Sequence, residues 1–236
     1  MAPRKRLNDD SSSSQPARFT KKAHESWYEL RKEKNLVVEK IIHPDIDRVF
    51  RLTEAFRSVG WERMLTLSGE YFPDLVREFY ANILNKEEKS RMVKSSVRGT
   101  PITLTLDYLR EFLNLRDPRA PFTYTINRNG FVADDHNYDI EATKTKFGCS
   151  DMRVRDLGLR WIRARLLIYL FGFNIEPRAS GLNEIRISDL YPADKMIFGL
   201  GRPERIALAP LILRCIHDVV ASNRPDKNFV FPVLLS

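Results

Sequence analysis

The chain is poor in cysteine, poor in histidine and without any long apolar run, and each scarcity removes a class of function. Only Cys149 and Cys215 are present. They stand far apart with no C-x-x-C pair, so a tetrahedral thiolate zinc site is excluded. A bridge between them is one reading, but two thiols in a chain of 236 residues read more simply as reduced residues of an intracellular protein, in nucleus or cytoplasm. The longest apolar stretches lie at 166–171 and 206–213. A bilayer span needs ~20 apolar residues, so both are core segments and no membrane partner is expected. The opening residues are charged and polar where a secretory signal needs an apolar centre. The four histidines, His24, His43, His136 and His217, have no serine, cysteine or carboxylate at a spacing that implies a proton relay. No nucleophile elbow or Walker loop occurs, and Gly199-Leu200-Gly201 lacks the third glycine of a dinucleotide site. Asp-Thr-Gly and Asp-Ser-Gly are absent. The expectation is a protein that is no enzyme, with no catalytic residue, cofactor, metal or small-molecule substrate.

What is present is an ordinary globular core and an uneven distribution of charge. Hydrophobic residues make up 43% of the chain, with 14 Phe and 8 Tyr to fill an interior. Lys and Arg number 39 against 31 Asp and Glu, a net charge of +8. Residues 1–24 hold Arg4, Lys5, Arg6, Arg18, Lys21 and Lys22 against Asp9 and Asp10, so half of that excess sits at one end. Such a tail attracts polyanions at long range without a shaped site, or it serves solubility alone. Residues 1–17 include four consecutive serines and almost no apolar side chain, too little to offset the entropy of ordering, and are expected to be disordered. Arg4, Lys5 and Arg6, with Lys21 and Lys22 as a second half, have the composition of a nuclear-import cluster.

The remainder, 18–236, reads as a single, mainly α, multi-helix globular domain with one or two short β-hairpins. Helix is expected from Thr20, which can cap it, through Trp27 and Leu30. Residues 35–42 are β-branched and extended in character. A second helix opens at His43-Pro44-Asp45, buries Ile46, Val49, Phe50 and Phe56, and stops at Gly60. The third, 69–84, has Phe72, Leu75, Val76, Phe79, Tyr80 and Ile83 on one face and Asp74, Arg77 and Glu78 on the other. Two strands flank Arg98-Gly99-Thr100-Pro101 within 89–105. Thr105 caps a helix burying Leu106, Leu109, Phe112 and Leu113. Residues 116–150 are the least periodic, with a weak hairpin around Asn129-Gly130. Helices follow at 155–173, 187–198 and 203–221, the last starting or bending at Pro210. The apolar segment 229–235 stops abruptly, which suggests a piece of something longer.

Two clusters could carry chemistry. Asp134, Asp135 and His136 with Asp139 and Glu141 could hold Mg²⁺ or Mn²⁺ as a nuclease does, although two-metal sites draw carboxylates from separate segments to bridge ions ~4 Å apart. The plainer reading is a solvated acidic loop. Arg153, Arg155, Arg160 and Arg163 could neutralise phosphates. Arg160 and Arg163 would share a helix face, with Arg165 pointing away. The plainer reading there is a salt-bridged face over the core. Any nucleic-acid binding would be non-specific and salt-sensitive.

Several blocks together resemble a family. Arg18-Phe19-Thr20 with Trp27-Tyr28 and Val37-Val38 resembles the opening of the putative plant transposon protein domain, related to the first reading frame of Athila-type gypsy retrotransposons. Val59-Gly60-Trp61-Glu62-Arg63 is similar to its Gly-Trp block, with Met64 where members often carry Phe. Leu75-Val76-Arg77-Glu78-Phe79-Tyr80-Ala81-Asn82 is the nearest match. Val97-Arg98-Gly99 with the helix after it, Arg163-Ala164-Arg165, Asn174-Ile175, Pro177-Arg178 and Phe231-Pro232 resemble later blocks. The likeness runs from Arg18 to Ser236 and is poorest over 116–150. It implies a plant retroelement-derived protein, capsid-like or accessory, and it transfers no catalytic residue. The expected partners are nucleic acid, bound non-specifically, and further copies of the chain. The other readings are a metal-dependent nuclease using the 134–139 loop and a domesticated host interaction module.

Overall fold

The computed structural model describes residues 17–83, 92–115, 138–158, 161–198, 206–221 and 228–236. The chain is mainly α, as its periodicity implies. The helices are α1 (Lys22–Glu29), α2 (Pro44–Phe50), α3 (Leu52–Ser58), α4 (Pro73–Ala81), α5 (Leu106–Phe112), α6 (Ile140–Phe147), α7 (Ile162–Leu170), α8 (Ile187–Phe198), α9 (Ala209–Ala221) and α10 (Pro232–Leu235). The strands are β1 (Leu36–Val37), β2 (Met92–Val97), β3 (Thr100–Thr105) and β4 (Phe229–Val230). Among the described residues no helix is long and apolar enough to cross a membrane.

The expected hairpin forms from β2 and β3, paired antiparallel from Met92↔Thr105 to Val97↔Thr100. Its turn residues Arg98 and Gly99 both have positive φ, 49° and 76°, the conformation a two-residue hairpin loop needs to match strand twist. The second sheet is no hairpin. Strands β1 and β4 run parallel, Leu36 opposite Phe229 and Val37 opposite Val230, joining distant parts of the sequence. The hairpin expected around Asn129-Gly130 lies outside the described residues.

The core gathers around α4 and an aromatic group of Phe56, Trp61 and Phe171, whose ring centroids are 5.7–6.4 Å apart. Trp61 is buried with its indole N–H donating to the Ile206 carbonyl at 2.8 Å, so the polar edge of the ring is satisfied as burial requires. Tyr80 packs on Phe229, centroids 5.3 Å apart, and its hydroxyl donates to the Val230 carbonyl at 2.9 Å.

Several expectations change. The helix expected from His43 to Gly60 breaks at Arg51, which is left-handed with φ 51°. Asp47 then accepts the Thr53 N–H at 2.7 Å, capping α3, and the kink separates the apolar stripe of α2 from that of α3. Phe56 is buried, but Ile46 and Val49 are 42% and 69% exposed. Phe72 is 51% exposed because α4 starts only at Pro73, whose fixed φ suits the first helical turn. Phe112 is exposed too and stacks on Tyr108, rings 6.0 Å apart and 9° from parallel. Thr20 caps nothing; its hydroxyl meets His24 Nδ1 at 2.7 Å. The helix expected from 155 begins at Ile162, after a 3₁₀ turn at Val154–Asp156, and closes in a π-helical turn at Phe171–Ile175.

Glu78, expected on the polar side of α4, is 2% exposed. Its carboxylate accepts from Arg18 Nε at 3.1 Å and from the Arg98 backbone N–H in the hairpin turn. One turn on, the fully buried Asn82 accepts from the Thr20 N–H at 3.3 Å and donates to the carbonyls of Arg18 and Ser96 at 2.8 and 3.0 Å. A buried asparagine with its bonds met stabilises modestly, whereas partners stripped of it and sealed from water cost about 1–3 kcal/mol each. Asn82→Ala is therefore expected to destabilise by about 2–4 kcal/mol, measured as a lower urea midpoint at unchanged denaturant slope. An effect within ~0.5 kcal/mol, the range of an ordinary surface substitution, would contradict this role.

Candidate functional site

The arginines that could neutralise phosphate do not assemble on one helix. Arg153 is exposed and bridges Glu184 through the backbone. Arg155 lies in the 3₁₀ turn with its side chain 75% exposed, 3.7 Å from Asp156. Arg160 lies outside the described residues. Arg163, in the first turn of α7, is half-buried and donates to the Arg51 carbonyl at 2.9 Å, closing the kink between α2 and α3. Burial lowers its pKa, with Arg51 adding to the effect and Glu54 opposing it.

Of the basic cluster, Arg4, Lys5 and Arg6 lie outside the described residues. Lys21 and Lys22 are exposed at the start of α1. Neither has an ion-pair partner among the described residues, and they sit at the helix end where a positive charge is least welcome. Arg18 belongs to the fold instead. Besides Glu78 it donates to the Tyr28 hydroxyl at 2.8 Å, its guanidinium carbon 4.5 Å from that ring's centre.

Asp134, Asp135 and His136 also lie outside the described residues. Asp139 caps α6, accepting the Ala142 N–H at 2.9 Å, and Glu141 pairs with Lys144 at 2.7 Å. Among the described residues no three or more His, Cys, Asp and Glu side chains are placed to hold a metal ion.

One feature escaped sequence reasoning. A cavity of about 300 Å³ lies between the loop after α7, the strand pair β1–β4 and α9. Glu176, Arg178, Ser180 and Arg186 line it from the loop, Cys215 and Asp218 from α9, Val37 and Val230 from the strands. Arg178 also forms a buried ion pair with Asp189 at 2.7 Å, the two side chains 5% and 1% exposed. Asp189 sits in the first turn of α8 and accepts the Arg186 N–H at 2.8 Å, a reach-back that closes a helix start. Burial pushes the Asp189 carboxyl up to about 6, against the pull of Arg178 and the Arg186 N–H. The available signal was the Pro177-Arg178 block followed by an acid at a helix start. Nothing in the spacing pairs Arg178 with Asp189.

Residues 57–236 match the family described as "Putative plant retrotransposon-related domain". No curated protein and no solved structure matches the chain.

The Asp189 carboxyl has a folded pKa above its unfolded value of 3.8. Its contribution to stability is therefore full below about pH 4 and lost as the pH rises through about 6. Asp189→Asn keeps the shape and an acceptor without the buried charge. The variant is expected to match the parent near pH 4 and to exceed it at pH 7.5 by on the order of 3 kcal/mol, read from urea midpoints across pH. A variant less stable than the parent at pH 7.5 would show that the ionic form is the stabilising one.

Proposed function

Because the chain belongs to the plant retrotransposon-related domain family, we propose that it acts as a non-catalytic, element-derived protein that holds nucleic acid through its basic end. The observation that carries this reading is the exposed Lys21 and Lys22, unpaired among the described residues, continuing a cluster begun by Arg4, Lys5 and Arg6. An array of cations recognises the phosphate backbone and no sequence, because each contact gains chiefly by releasing condensed counterions. Asp139, the described carboxylate of the nuclease reading, serves as a helix cap, which favours binding over cleavage.

A gel-shift salt series tests it. Binding to random-sequence duplex DNA is expected to weaken linearly on a log–log plot. Exchanging Arg4, Lys5, Arg6, Lys21 and Lys22 for glutamine should reduce the slope by about 4. No binding at low salt, or cleavage of the DNA in Mn²⁺, would overturn the reading.

A second role, self-association, is favoured by one observation. Ile41, Ile46 and Val49 stand 62%, 42% and 69% exposed along and just before α2, a helix that buries no side chain. Apolar side chains left together at a surface gain from being covered. Sedimentation of the protein is expected to show concentration-dependent mass, and Val49→Lys to leave a monomer. A parent that is monomeric at ~100 μM, where an association too weak to supply about 5–6 kcal/mol would go unpopulated, would remove this role.

A further inference from the structure

Among the described residues, Arg31, Glu39, Glu78, Arg178 and Asp189 are charged side chains buried in the fold. Four of them have a counter-charge or backbone donors. Glu78 meets Arg18, Arg178 meets Asp189, and Glu39 accepts the Val233 and Leu234 N–H groups. Arg31 has neither. It is 8% exposed, and among the described residues its guanidinium makes no ion pair and no hydrogen bond. An arginine is seldom buried this far without a partner, because a desolvated cation left alone is costly.

The surroundings hold this group in place without using its donors. Arg31 follows α1, and its guanidinium carbon lies 4.6 Å from the centre of the Trp27 ring. Trp27 in turn packs edge-on against Phe229 of β4, centroids 6.0 Å apart. A ring attracts the face of a guanidinium and leaves the in-plane fork of N–H groups for an acceptor. The carbonyls at this helix end are taken already. Ser26 accepts from the Leu30 N–H at 3.2 Å, Tyr28 from Arg31 and Arg31 from Lys34 at 2.9 Å each, and Lys34 from Arg77 Nη2 at 3.3 Å. Of the Arg31 donors Nε alone is sealed from water, so Nη1 and Nη2 keep access to it. Other cations gather at the same turn. Arg77 of α4 is anchored there, with Asp74 3.4 Å from its Nη1. Lys34 is half-buried and makes no ion pair among the described residues. Lys32 is taken by Glu29 at 2.7 Å, and the exposed Glu33 pairs with none of them.

We propose that Arg31, with Lys34 and Arg77 beside it, forms a phosphate site on the folded domain, filled by one phosphate of a nucleic-acid backbone. The nucleic-acid source rests on the function proposed above, whereas the site stands on the unpaired guanidinium. A phosphate supplies the charge that Arg31 lacks, and the guanidinium fork engages two of its oxygens at once. Several cations around one turn suit a group that can carry two negative charges better than a carboxylate with one. Unlike the basic end, this contact has a fixed place in the fold, so it gives bound nucleic acid a register on the domain.

Inorganic phosphate is the first probe, added to the full chain with chloride of equal ionic strength as reference. Phosphate stabilises proteins in general by exclusion from their surface, so the signal is the difference between the parent and Arg31→Met. Methionine keeps a long side chain over Trp27 without the charge. At ~50 mM phosphate the thermal midpoint of the parent is expected to rise about 3 °C more than that of the variant. Lys34→Gln should fall between the two. Random-sequence duplex DNA is the second probe. Arg31→Met should lower the log–log salt slope by about 1, against about 4 for the five exchanges at the basic end. Equal shifts in parent and Arg31→Met, or an equal gain in acetate, overturn the site. A parent that gains from phosphate but binds no DNA supports the site and sinks the reading of the basic end. A slope unchanged in Arg31→Met overturns the seating of nucleic acid there, even where phosphate protects the parent alone. An Arg31→Met protein that does not fold overturns the proposal too, because the guanidinium would then belong to the scaffold.

Discussion

One turn of α4 holds the structure together. Glu78 and Asn82 are four residues apart, so they project from the same side of the helix. Between them they receive the N-terminal segment at Arg18 and Thr20 and the β2–β3 hairpin at Ser96 and Arg98. Ser95 adds a hydroxyl bond to the Phe79 carbonyl between them. The opposite side of the same helix is apolar and carries Val76, Phe79 and Tyr80 into the core, with the Tyr80 hydroxyl on β4. A helix that is buried on both sides must satisfy every polar group it brings inside. Glu78, Tyr80 and Asn82 meet that demand by taking the neighbouring segments as partners, which converts a desolvation cost into a choice of topology.

The same device recurs away from α4. Asn174, fully buried in the π turn, exchanges hydrogen bonds with both backbone groups of Lys40 and donates to the Met64 carbonyl. Glu39, raised by burial and steadied by its backbone partners, accepts the Val233 and Leu234 N–H groups at the start of α10. The blocks that carry the family resemblance, around Trp61, Glu78, Arg98, Asn174, Arg178 and Phe231, coincide with these ties. Their resemblance to a family is thus a resemblance of scaffold, since each residue type is needed where two distant segments meet.

This explains what the sequence disclosed and what it withheld. Periodicity found α4, α5, α7 and α8 because one apolar face is enough to place a helix. The β2–β3 turn was legible because Gly99, which takes a positive φ at no steric cost, stands between two strand-like runs. The break at Arg51 was not, since arginine has no preference for left-handed backbone and the conformation is imposed by Asp47 and Arg163. Phe72 and Phe112 looked buried by spacing, yet no element covers them among the described residues. Glu78 looked solvated because a charge on a helix is usually so; its partners come from 60 residues before and 20 after. The Arg178–Asp189 pair, and with it the cavity wall, was invisible for the same reason. The candidate interface was legible only as composition, because a cluster of cations needs no geometry to attract phosphate.

The parallel pair of β1 and β4 has a consequence for how the protein divides. The family match begins at residue 57, yet Leu36 and Val37 complete the sheet that Phe229 and Val230 belong to. A fragment cut at the matched boundary would leave β4 with an open edge and the buried Phe229 and Val230 beside it, a template for pairing with a second chain. It would also strip Glu78, Asn82 and Asn174 of partners at Arg18, Thr20 and Lys40. The unit of recognition is therefore shorter than the unit of folding, and an excision that respects the first breaks the second.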